Sequence, residues 1–248
     1  LIKFGQFINK IDNSFEKVAS GHYAKIENVN EKFILKTSPD PIKDQTYFLA
    51  YLTQHQLSRA LFPIGTYKKK QIRELAHNYD LPNMIRKDSQ GICFLGKIKF
   101  SDFIKHHLGE LEGEIIDIDT NKVMGKHKGF YFYTIGQRSG LRLGGGPWYV
   151  ISKDIEKNIV YISKENIINR ARKEFTVGKF NWISEEKPED GNYLVKIRHG
   201  EHFYKCSLTF DGDTAKVLSE KEDRGIAPGQ FAVFYKDDIC LGGSVILE

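Results

Sequence analysis

The sequence has few cysteines and no long hydrophobic run. Among its 248 residues are three cysteines, Cys93, Cys206 and Cys240, which lie far apart and form no CxxC pair. This usage excludes a disulfide framework and a structural zinc ribbon, and it is typical of a reducing compartment. No apolar stretch approaches the roughly 18 residues that a membrane-spanning helix needs, so we expect no membrane association.

Targeting signals and common catalytic signatures are also missing. The opening residues, LIKFGQFINKIDNSF, do not show the basic, apolar and small-residue succession of a secretory leader. We therefore expect a protein of the cytoplasm or of an organellar matrix, and the lack of an initial Met predicts a processed or truncated front. The sequence has no Walker A or HExxH motif and no Ser–His–Asp arrangement, and its eight histidines have no partners at metal-ligand spacing. We expect no bound metal.

Positive charge is concentrated in the first two thirds of the sequence. Residues 1–96 carry a net charge of +5, residues 97–172 carry +4 and residues 173–248 carry −4. A basic surface is typical of a protein that binds a polyanion. A solvated, lysine-rich surface explains the same charge equally well.

The hydrophobic pattern changes twice along the chain, which predicts three domains: 1–96, 97–172 and 173–248. The first domain mixes strand and helix signals, as α/β domains do, and it opens with Phe and Ile residues at helical spacing. Helices are predicted over residues 45–52 and 68–79, where apolar side chains recur on one face.

The second and third domains show mainly β-strand patterns. A polar turn at 153–157, flanked by apolar residues 148–152 and 158–163, predicts a hairpin in the second domain. The third domain contains six short apolar segments separated by Gly, Asp and Pro turns: 175–182, 193–198, 203–210, 214–218, 231–235 and 239–247. This spacing predicts a small antiparallel barrel or sandwich.

The motif Ser20-Gly21-His22-Tyr23 follows an apolar strand. Glycine at a strand-to-loop turn allows the backbone to approach a ligand closely, and turns at the carboxyl ends of α/β strands often bind nucleotides. A plain tight turn is the simpler explanation of these four residues taken alone.

A second motif, Lys43-Asp44-Gln45, precedes the first predicted helix. Asp44 suits the N-cap position of that helix. Lys43 and Gln45 would then project from a helix N-terminus, where a phosphate or a base edge is held favourably.

Cys93 lies in the motif KDSQGICF. A cysteine between Ile92 and Phe94 is usually an inert core residue. A polar turn precedes it, however, and Arg86 and Lys87 are close in sequence. Cations and turn amides lower the pKa of a thiol and make it nucleophilic, so the local residues leave core packing and catalysis equally open.

Glycine, basic and aromatic residues interleave between residues 125 and 149, in the segments GKHKG, YTIGQRSGL and GGGPWY. Such a composition is expected where a backbone lies close to a polyanion and rings stack on bases. The alternative is an exposed, glycine-rich β-connection.

Together and in this order, these stretches resemble the tRNA-specific 2-thiouridylase family. The resemblance extends over almost the whole chain and rests on nine segments: SGHY, KDQTYFL, LFPIG, KDSQGICFLG, KFSDFI, GKHKGFYFYTIGQR, GGGPWYV, APGQFAVFY and CLGGSVI. The DSxGICF and TIGQR elements are highly specific to that family. The resemblance implies an α/β remnant of a PP-loop domain of the adenine-nucleotide alpha-hydrolase type, then a β-rich central tRNA-binding domain and a C-terminal antiparallel β-barrel.

The resemblance also implies roles for individual residues. Cys93 would carry the persulfide sulfur, and Gly21 would contact ATP. The implied tRNA contacts are His22, Lys43, Asp44, Gln45, Arg198, His199 and Gln230. The implied partners are tRNA, ATP as co-substrate and a persulfide-donating protein, either a relay protein or a cysteine desulfurase, and we expect the chain to be a monomer.

RNA binding by the last domain requires a local positive spot, because that domain carries a net charge of −4. Lys196, Arg198 and His199 lie on or beside one predicted strand. Alternate side chains of a strand face the same way, so we expect these groups to form an outward basic spot.

The sequence departs from the family pattern in two places. Family members carry an SGGxDS phosphate loop and, after it, an Asp and a second catalytic Cys, which we do not find in these 248 residues. We therefore expect a family member that lacks the portion with these groups and that does not thiolate tRNA alone. The loop before Pro147 is also shorter than in the family, which leaves its shape open.

The implied reaction starts with adenylation of the 2-oxygen of the wobble uridine by ATP. A persulfide on Cys93 then delivers sulfur to C2, and a second cysteine completes the transfer by forming a disulfide with Cys93. This chemistry predicts that Cys93 lies on the same side of the α/β part as Gly21 and His22. The competing hypothesis is a non-enzymatic RNA-binding module in which Cys93 is an idle core thiol.

Overall fold

The computed structural model of this protein describes residues 2–12, 14–85, 100–165, 171–223 and 225–247. These residues form two compact units. One unit joins residues 1–85 to residues 172–248, and the other contains residues 86–171. The division into three domains stays a prediction.

The first part of the larger unit combines short helices with a parallel strand pair and a hairpin. Its elements in chain order are a π-helical turn Ile2–Gln6, β1 Val18–Ala19, β2 Ala24–Val29, β3 Lys32–Thr37, α1 Thr46–Leu49, α2 Gln54–Arg59, β4 Ala60–Leu61 and α3 Lys69–Asn78. Strands β1 and β4 pair in parallel, and β2 and β3 form an antiparallel hairpin. This confirms mixed α/β structure at the front of the chain.

The smaller unit has a four-stranded sheet. Its elements are α4 Phe100–Leu108, β5 Gly113–Asp117, β6 Val123–His127, a 3-10 turn Phe130–Phe132, β7 Tyr149–Asp154 and β8 Ile159–Ser163. The strand order is β6-β5-β8-β7, with β5 and β8 parallel. The predicted hairpin is present as the antiparallel pair β7–β8.

The second part of the larger unit is a six-stranded antiparallel barrel. Its strands are β9 Arg172–Trp182, β10 Gly191–Lys196, β11 Tyr204–Asp211, β12 Thr214–Asp223, β13 Phe231–Lys236 and β14 Ile239–Ile246. The order β13-β10-β11-β12-β9-β14 closes because β13 also pairs with β14. Apolar side chains at alternate positions fill the interior, among them Val177, Val195, Leu208, Val217 and Phe234.

Strand β14 ties the barrel to the front of the chain. Its first residues pair with β3, so that the β2–β3 hairpin extends the barrel sheet. Gly242 makes this path possible: its φ is +144°, and a Cβ there would lie 2.0 Å from the Asn181 carbonyl oxygen. A second hydrophobic core forms where the hairpin and helices pack on the outer face of β10, β13 and β14.

Two predictions about the front of the chain are wrong. The predicted helix over 45–52 is only α1, and a separate helix, α2, begins after Thr53, whose side chain and that of Gln56 form a capping box. The opening residues form a short π-helical turn, Ile2–Gln6, rather than an α-helix; Phe4 and Ile8 are buried and Phe7 is exposed. Within the described residues, no helix is long and apolar enough to cross a membrane.

Candidate functional site

The turn with Gly21 lies at the carboxyl end of the parallel strand β1. The Ser20 N–H donates to the Leu61 carbonyl 2.9 Å away, which continues the pairing of β1 with β4. Gly21 is exposed, and a Cβ built on it would touch only the Ile64 side chain, at 3.9 Å. A ligand therefore has room to approach the backbone at this position, as the predicted nucleotide contact requires.

His22 is neutral at physiological pH because of its surroundings. Its ring lies beside those of Phe4 and Phe62, with centroids 5.7 and 5.6 Å away, and the Ser20 hydroxyl is 2.7 Å from Nδ1. Burial, together with the nearby charge of Lys3, lowers the pKa of His22 to about 4. Any contact of His22 with RNA would therefore use hydrogen bonding or ring packing rather than charge.

Gln45 connects the first two motifs. Its Oε1 accepts from the Tyr23 N–H at 3.0 Å, and its own N–H donates to the Tyr23 carbonyl at 2.9 Å. Gln45 is also the N-cap residue of α1, which has only four residues and no side-chain cap. The prediction that Asp44 caps this helix is wrong, and a helix N-terminus of this length offers no anion site of its own.

Asp44 lies in the interior rather than on a contact surface. Its side chain is 1% exposed and pairs with Lys196 Nζ, which is 0% exposed, at 3.3 Å. The Asp44 carboxylate also accepts from the Ser38 N–H at 3.1 Å and from the Thr46 hydroxyl at 2.7 Å. In this structure Asp44 fixes the segment between Lys43 and Gln45 and does not reach a ligand directly.

The burial of Lys196 corrects the prediction of an outward basic spot on β10. Lys196 points away from the barrel interior, but α1 and its preceding loop cover that face of the strand. Its ammonium group lies 4.0 Å from the centroid of the Phe203 ring. Arg198 and His199, which follow the end of β10, are exposed.

Arg198 is held by an ion pair at one side of its guanidinium. Its Nη2 donates to both carboxylate oxygens of Asp223, which also accepts from the Tyr204 hydroxyl at 2.9 Å. Burial alone would raise the pKa of the Asp223 carboxyl, but hydrogen bonds from the Gly225 N–H, Arg198 and Tyr204 keep it below its usual range. Asp223 thus orients Arg198 while the arginine stays accessible.

His199 packs against Phe48 of α1, with ring centroids 4.8 Å apart and planes tilted by 36°. Partial burial lowers the pKa of His199, and the charges of Lys196 and Lys43 lower it further, although Asp44 opposes them. The contact between Phe48 and His199 brings the loop after β10 to α1, the helix that the second motif directly precedes.

Gln230 lies beside the same surface, immediately before β13. Its carbonyl accepts from the Ile246 N–H at 2.8 Å, which places it at the end of β14. The next residue, Phe231, packs against Tyr51 with a centroid distance of 5.0 Å. The Tyr47 hydroxyl lies 3.1 and 3.3 Å from the carbonyl oxygens of Phe231 and Ile197 and donates its one proton to either of them, and so joins α1 to both barrel segments.

The connections at the two ends of the barrel differ in charge. Strand pairing places the connections 183–190, 212–213 and 237–238 at one end and the connections 197–203 and 225–230 at the other. The first group contains seven carboxylates and one lysine, whereas the second contains one arginine and one carboxylate. The negative charge of the connections is therefore concentrated at the end away from Arg198 and His199, so a polyanion meets less repulsion at the end with these two residues.

In the smaller unit, the glycine-rich stretch is built onto a strand rather than loosely exposed. The Gly136 N–H donates to the Val150 carbonyl at 2.8 Å, and the Val150 N–H donates to the Gln137 carbonyl at 3.0 Å. The Trp148 Nε1–H donates to the Gly144 carbonyl at 2.9 Å. Arg138, in the same stretch, is exposed. This arrangement holds the TIGQR segment in a defined conformation.

Cys93 lies outside the described residues, so its position beside Gly21 stays a prediction. The other two cysteines are buried. Burial raises the pKa of Cys206 to about 12 and raises that of Cys240 further, so neither supplies a thiolate at neutral pH. Among the described residues, no group of three His, Cys, Asp or Glu side chains is placed to hold a metal ion.

The structure thus brings every described candidate residue into one unit and connects most of them through α1. Gly21 and His22 reach it through Tyr23, whereas His199 and Gln230 reach it through the aromatic residues of α1. Sequence reasoning assigned no role to Tyr47 or Phe48, and it assigned Lys196 to an outward basic spot instead of a buried ion pair. Tyr47 and Phe48 lie within the KDQTYFL segment, which was the available signal, whereas nothing local identifies Lys196 as the partner of Asp44.

Comparison with known proteins agrees with this organisation. The model described as tRNA methyl transferase HUP domain matches residues 1–97, the tRNA methyl transferase PRC-barrel domain matches 101–164, and the aminomethyltransferase beta-barrel domain matches 172–246. These descriptions agree with an α/β front, a β-rich middle and a C-terminal antiparallel barrel.

Similar full-length proteins come from several bacteria. The tRNA-specific 2-thiouridylase MnmA 1 of Bacteroides thetaiotaomicron is 45% identical over 99% of this chain, which covers 72% of that protein. The tRNA-specific 2-thiouridylase MnmA of Parabacteroides distasonis is 44% identical over 100% of the chain and 71% of its own length. That of Porphyromonas gingivalis is 43% identical over 100% of the chain and 72% of its own length.

Proposed function

This chain belongs to the family of tRNA-specific 2-thiouridylases, and we propose that it acts in the ATP-dependent 2-thiolation of the wobble uridine of tRNA through a persulfide on Cys93. Membership of that family supports a tRNA-modifying sulfurtransferase as the general activity. The detailed chemistry, the residue roles and the sulfur donor are parts of the proposal.

The observation that carries the proposal is the convergence of the candidate tRNA contacts around α1. Lys43 and Gln45 precede the helix, His199 packs on it, and Gln230 adjoins the residue that packs on its end. These residues come from opposite ends of the sequence. A shared ligand that spans both parts of the unit would contact all of them.

We assign different ligands to the residues at the two ends of this surface. Gly21 offers open backbone at the carboxyl end of β1, the edge at which α/β sheets bind nucleotides, and we propose that ATP contacts it. His22, beside it, would contact the tRNA as a neutral ring. Arg198, in the connection after β10, would bind a backbone phosphate, because its guanidinium is oriented by Asp223 and remains accessible.

The proposed chemistry has three steps. The 2-oxygen of the uridine attacks the α-phosphate of ATP, and pyrophosphate leaves. The terminal sulfur of the Cys93 persulfide bonds to C2, and AMP leaves with the electron pair of the C–O bond. A second thiolate then attacks Sγ of Cys93, which releases the 2-thiouridine and leaves a disulfide that a thiol reductant must reopen. The persulfide comes from a donor protein, since free Cys93 holds only one sulfur.

A thiolation assay tests the proposal. The full gene product is incubated with unthiolated tRNA, ATP with Mg²⁺ and a persulfide donor, and 2-thiouridine is measured by mass spectrometry of digested tRNA. We expect the wild type to form 2-thiouridine and Cys93→Ser to form none while still binding tRNA. Full activity of Cys93→Ser would show that Cys93 is a packing residue.

The same assay separates the enzyme from a non-enzymatic RNA-binding module. If the wild type binds tRNA but forms no 2-thiouridine and no adenylated intermediate, the chain belongs to the binding class. Parallel reactions with the 248 residues alone test our expectation that they bind tRNA without thiolating it. Sulfur incorporation by these residues would overturn that expectation.

A further inference from the structure

Phe48 is an exposed aromatic residue at the centre of the surface around α1. Its side chain is 61% exposed, and its ring lies 4.8 Å from that of His199, which is exposed as well. A single exposed apolar side chain is ordinary on a protein surface. An exposed ring held against a second exposed ring, from a distant part of the chain, is a more specific arrangement.

The backbone that carries Phe48 is held in place by contacts with the barrel. Tyr47 packs edge-on against Phe48, and its hydroxyl lies within hydrogen-bond distance of two carbonyl oxygens of the barrel. The Asp44–Lys196 pair anchors the start of the same segment in the interior. Phe48 is therefore presented in one place and loses little conformational freedom when a ligand packs on it.

A second ring pair continues the surface on the other side of Tyr47. Phe231 is 43% exposed and packs on Tyr51, whose hydroxyl donates to the Lys179 carbonyl at 3.3 Å. The two pairs flank the point where Tyr47 joins α1 to the barrel. Tyr47 contacts the Phe48 ring, and its hydroxyl lies 3.1 Å from the Phe231 carbonyl oxygen, so both ring pairs adjoin this one residue.

Charge near these ring pairs favours an anionic ligand. Lys43 lies close enough to His199 for its charge to lower the pKa of that ring, Arg198 directly precedes His199, and the carboxylates of the barrel connections gather at the far end. Exposed rings with cations nearby match the pattern of proteins that bind single-stranded nucleic acid, where bases stack on aromatic side chains and cations follow the backbone. A protein partner would favour an apolar centre with a polar rim instead of cations beside the rings.

We propose that Phe48 and His199 form a stacking site for an unpaired base of the bound tRNA, with Phe231 continuing the site. This inference rests on the proposed function, because it identifies how the tRNA is held. Stacking accepts any base, so the site contributes affinity and position rather than sequence preference. His199 takes part as a ring and not as a charge.

Substitution of Phe48 tests the site. We expect Phe48→Ala to weaken the Kd for unmodified tRNA about 10-fold, since one base stack is worth roughly one to three kcal/mol. The slope of log K against log salt should not change, because no phosphate contact is lost. Phe15→Ala is the matched control: Phe15 is also a phenylalanine, 57% exposed, in the same unit. Thermal unfolding of each variant checks that the fold is kept.

Four further variants separate stacking from other contacts. Phe48→Leu keeps apolar surface without a π-face, so it should bind tRNA as weakly as Phe48→Ala. His199→Phe should bind nearly as well as the wild type, whereas His199→Ala should not. In Phe48→Trp, the added indole fluorescence should be quenched when tRNA binds.

The outcomes distinguish the two proposals. If the wild type does not bind tRNA, the proposed function fails. If it binds tRNA, but Phe48→Ala matches Phe15→Ala, or Phe48→Leu keeps wild-type affinity, the stacking site alone is wrong. A Phe48→Ala variant that binds tRNA normally but loses a protein partner would likewise overturn it, since the surface would then be a protein interface.

Discussion

The buried pair between Asp44 and Lys196 predicts a large and non-additive loss of stability when one partner is removed. Asp44 belongs to the loop before α1 and Lys196 to the end of β10, and both side chains are shielded from water. Lys196→Met keeps most of the side-chain length and its packing against Phe203. It leaves the Asp44 carboxylate buried, with hydrogen bonds from Ser38 and Thr46 but with no opposite charge.

The magnitude follows from the cost of an uncompensated buried charge. Breaking such a pair from one side typically costs about 3–5 kcal/mol, against a total stability of about 5–15 kcal/mol for a domain. The double variant Asp44→Asn with Lys196→Met buries no net charge, so it should lose less stability than either single variant. The coupling free energy between the two positions should then exceed about 2 kcal/mol.

Urea unfolding, followed by circular dichroism, measures these free energies. Hydrogen exchange of the peptides that contain α1 locates the effect, and peptides of the smaller unit serve as the internal control. We expect exchange at α1 to accelerate in both single variants and to recover in part in the double variant. A loss below about 1 kcal/mol in Lys196→Met, or strict additivity in the double variant, would refute the reasoning.

The remaining predictions concern RNA binding, pH and cysteine chemistry. Arg198→Ala should weaken tRNA binding and reduce the salt slope by about one, because a phosphate contact is lost; unchanged affinity and slope would remove Arg198 from the contact surface. Between pH 6.5 and about pH 4 the unfolded state protonates His22 while the folded state does not, so stability should fall on acidification, and by less in His22→Gln; equal pH profiles would contradict the lowered pKa. Iodoacetamide should modify Cys93 first and leave Cys206 and Cys240 unmodified until the chain unfolds, as peptide mass spectrometry will show; fast modification of either buried thiol in the folded protein would contradict their burial.

The strands were predictable because each barrel strand has one buried and one exposed face, and the alternation of its own residues shows this. The alternation of apolar and polar residues in segments such as 203–210 and 214–218 follows directly from one buried face, and these strands form as predicted, within a few residues at each end. The β7–β8 hairpin was predictable for the same reason, since its polar turn separates two apolar runs. The division into α1 and α2 was not predicted. A helix as short as α1 is not stable alone and depends on its packing against the rest of the unit, which its own sequence does not show.

The candidate site was predictable only as a set of residue types. The segments SGHY, KDQTYFL and APGQ identified Gly21, Lys43, Gln45 and Gln230 as candidates, but no local pattern states that these positions lie near one helix. Proximity of this kind depends on the pairing of β14 with β3, which joins the first part of the chain to the barrel.

The sequence by itself determined the kinds of secondary structure, the family and the chemical types of the candidate residues, since each depends on short-range pattern. Only the tertiary structure decided which face of a strand is truly outside. By the alternation of its strand, Lys196 is expected to face outward. In the structure α1 covers it, and its ammonium group pairs with Asp44 and is not available to RNA. The physical reason is that burial is a property of what packs against a position, and for Lys196 that partner is more than a hundred residues away in the chain.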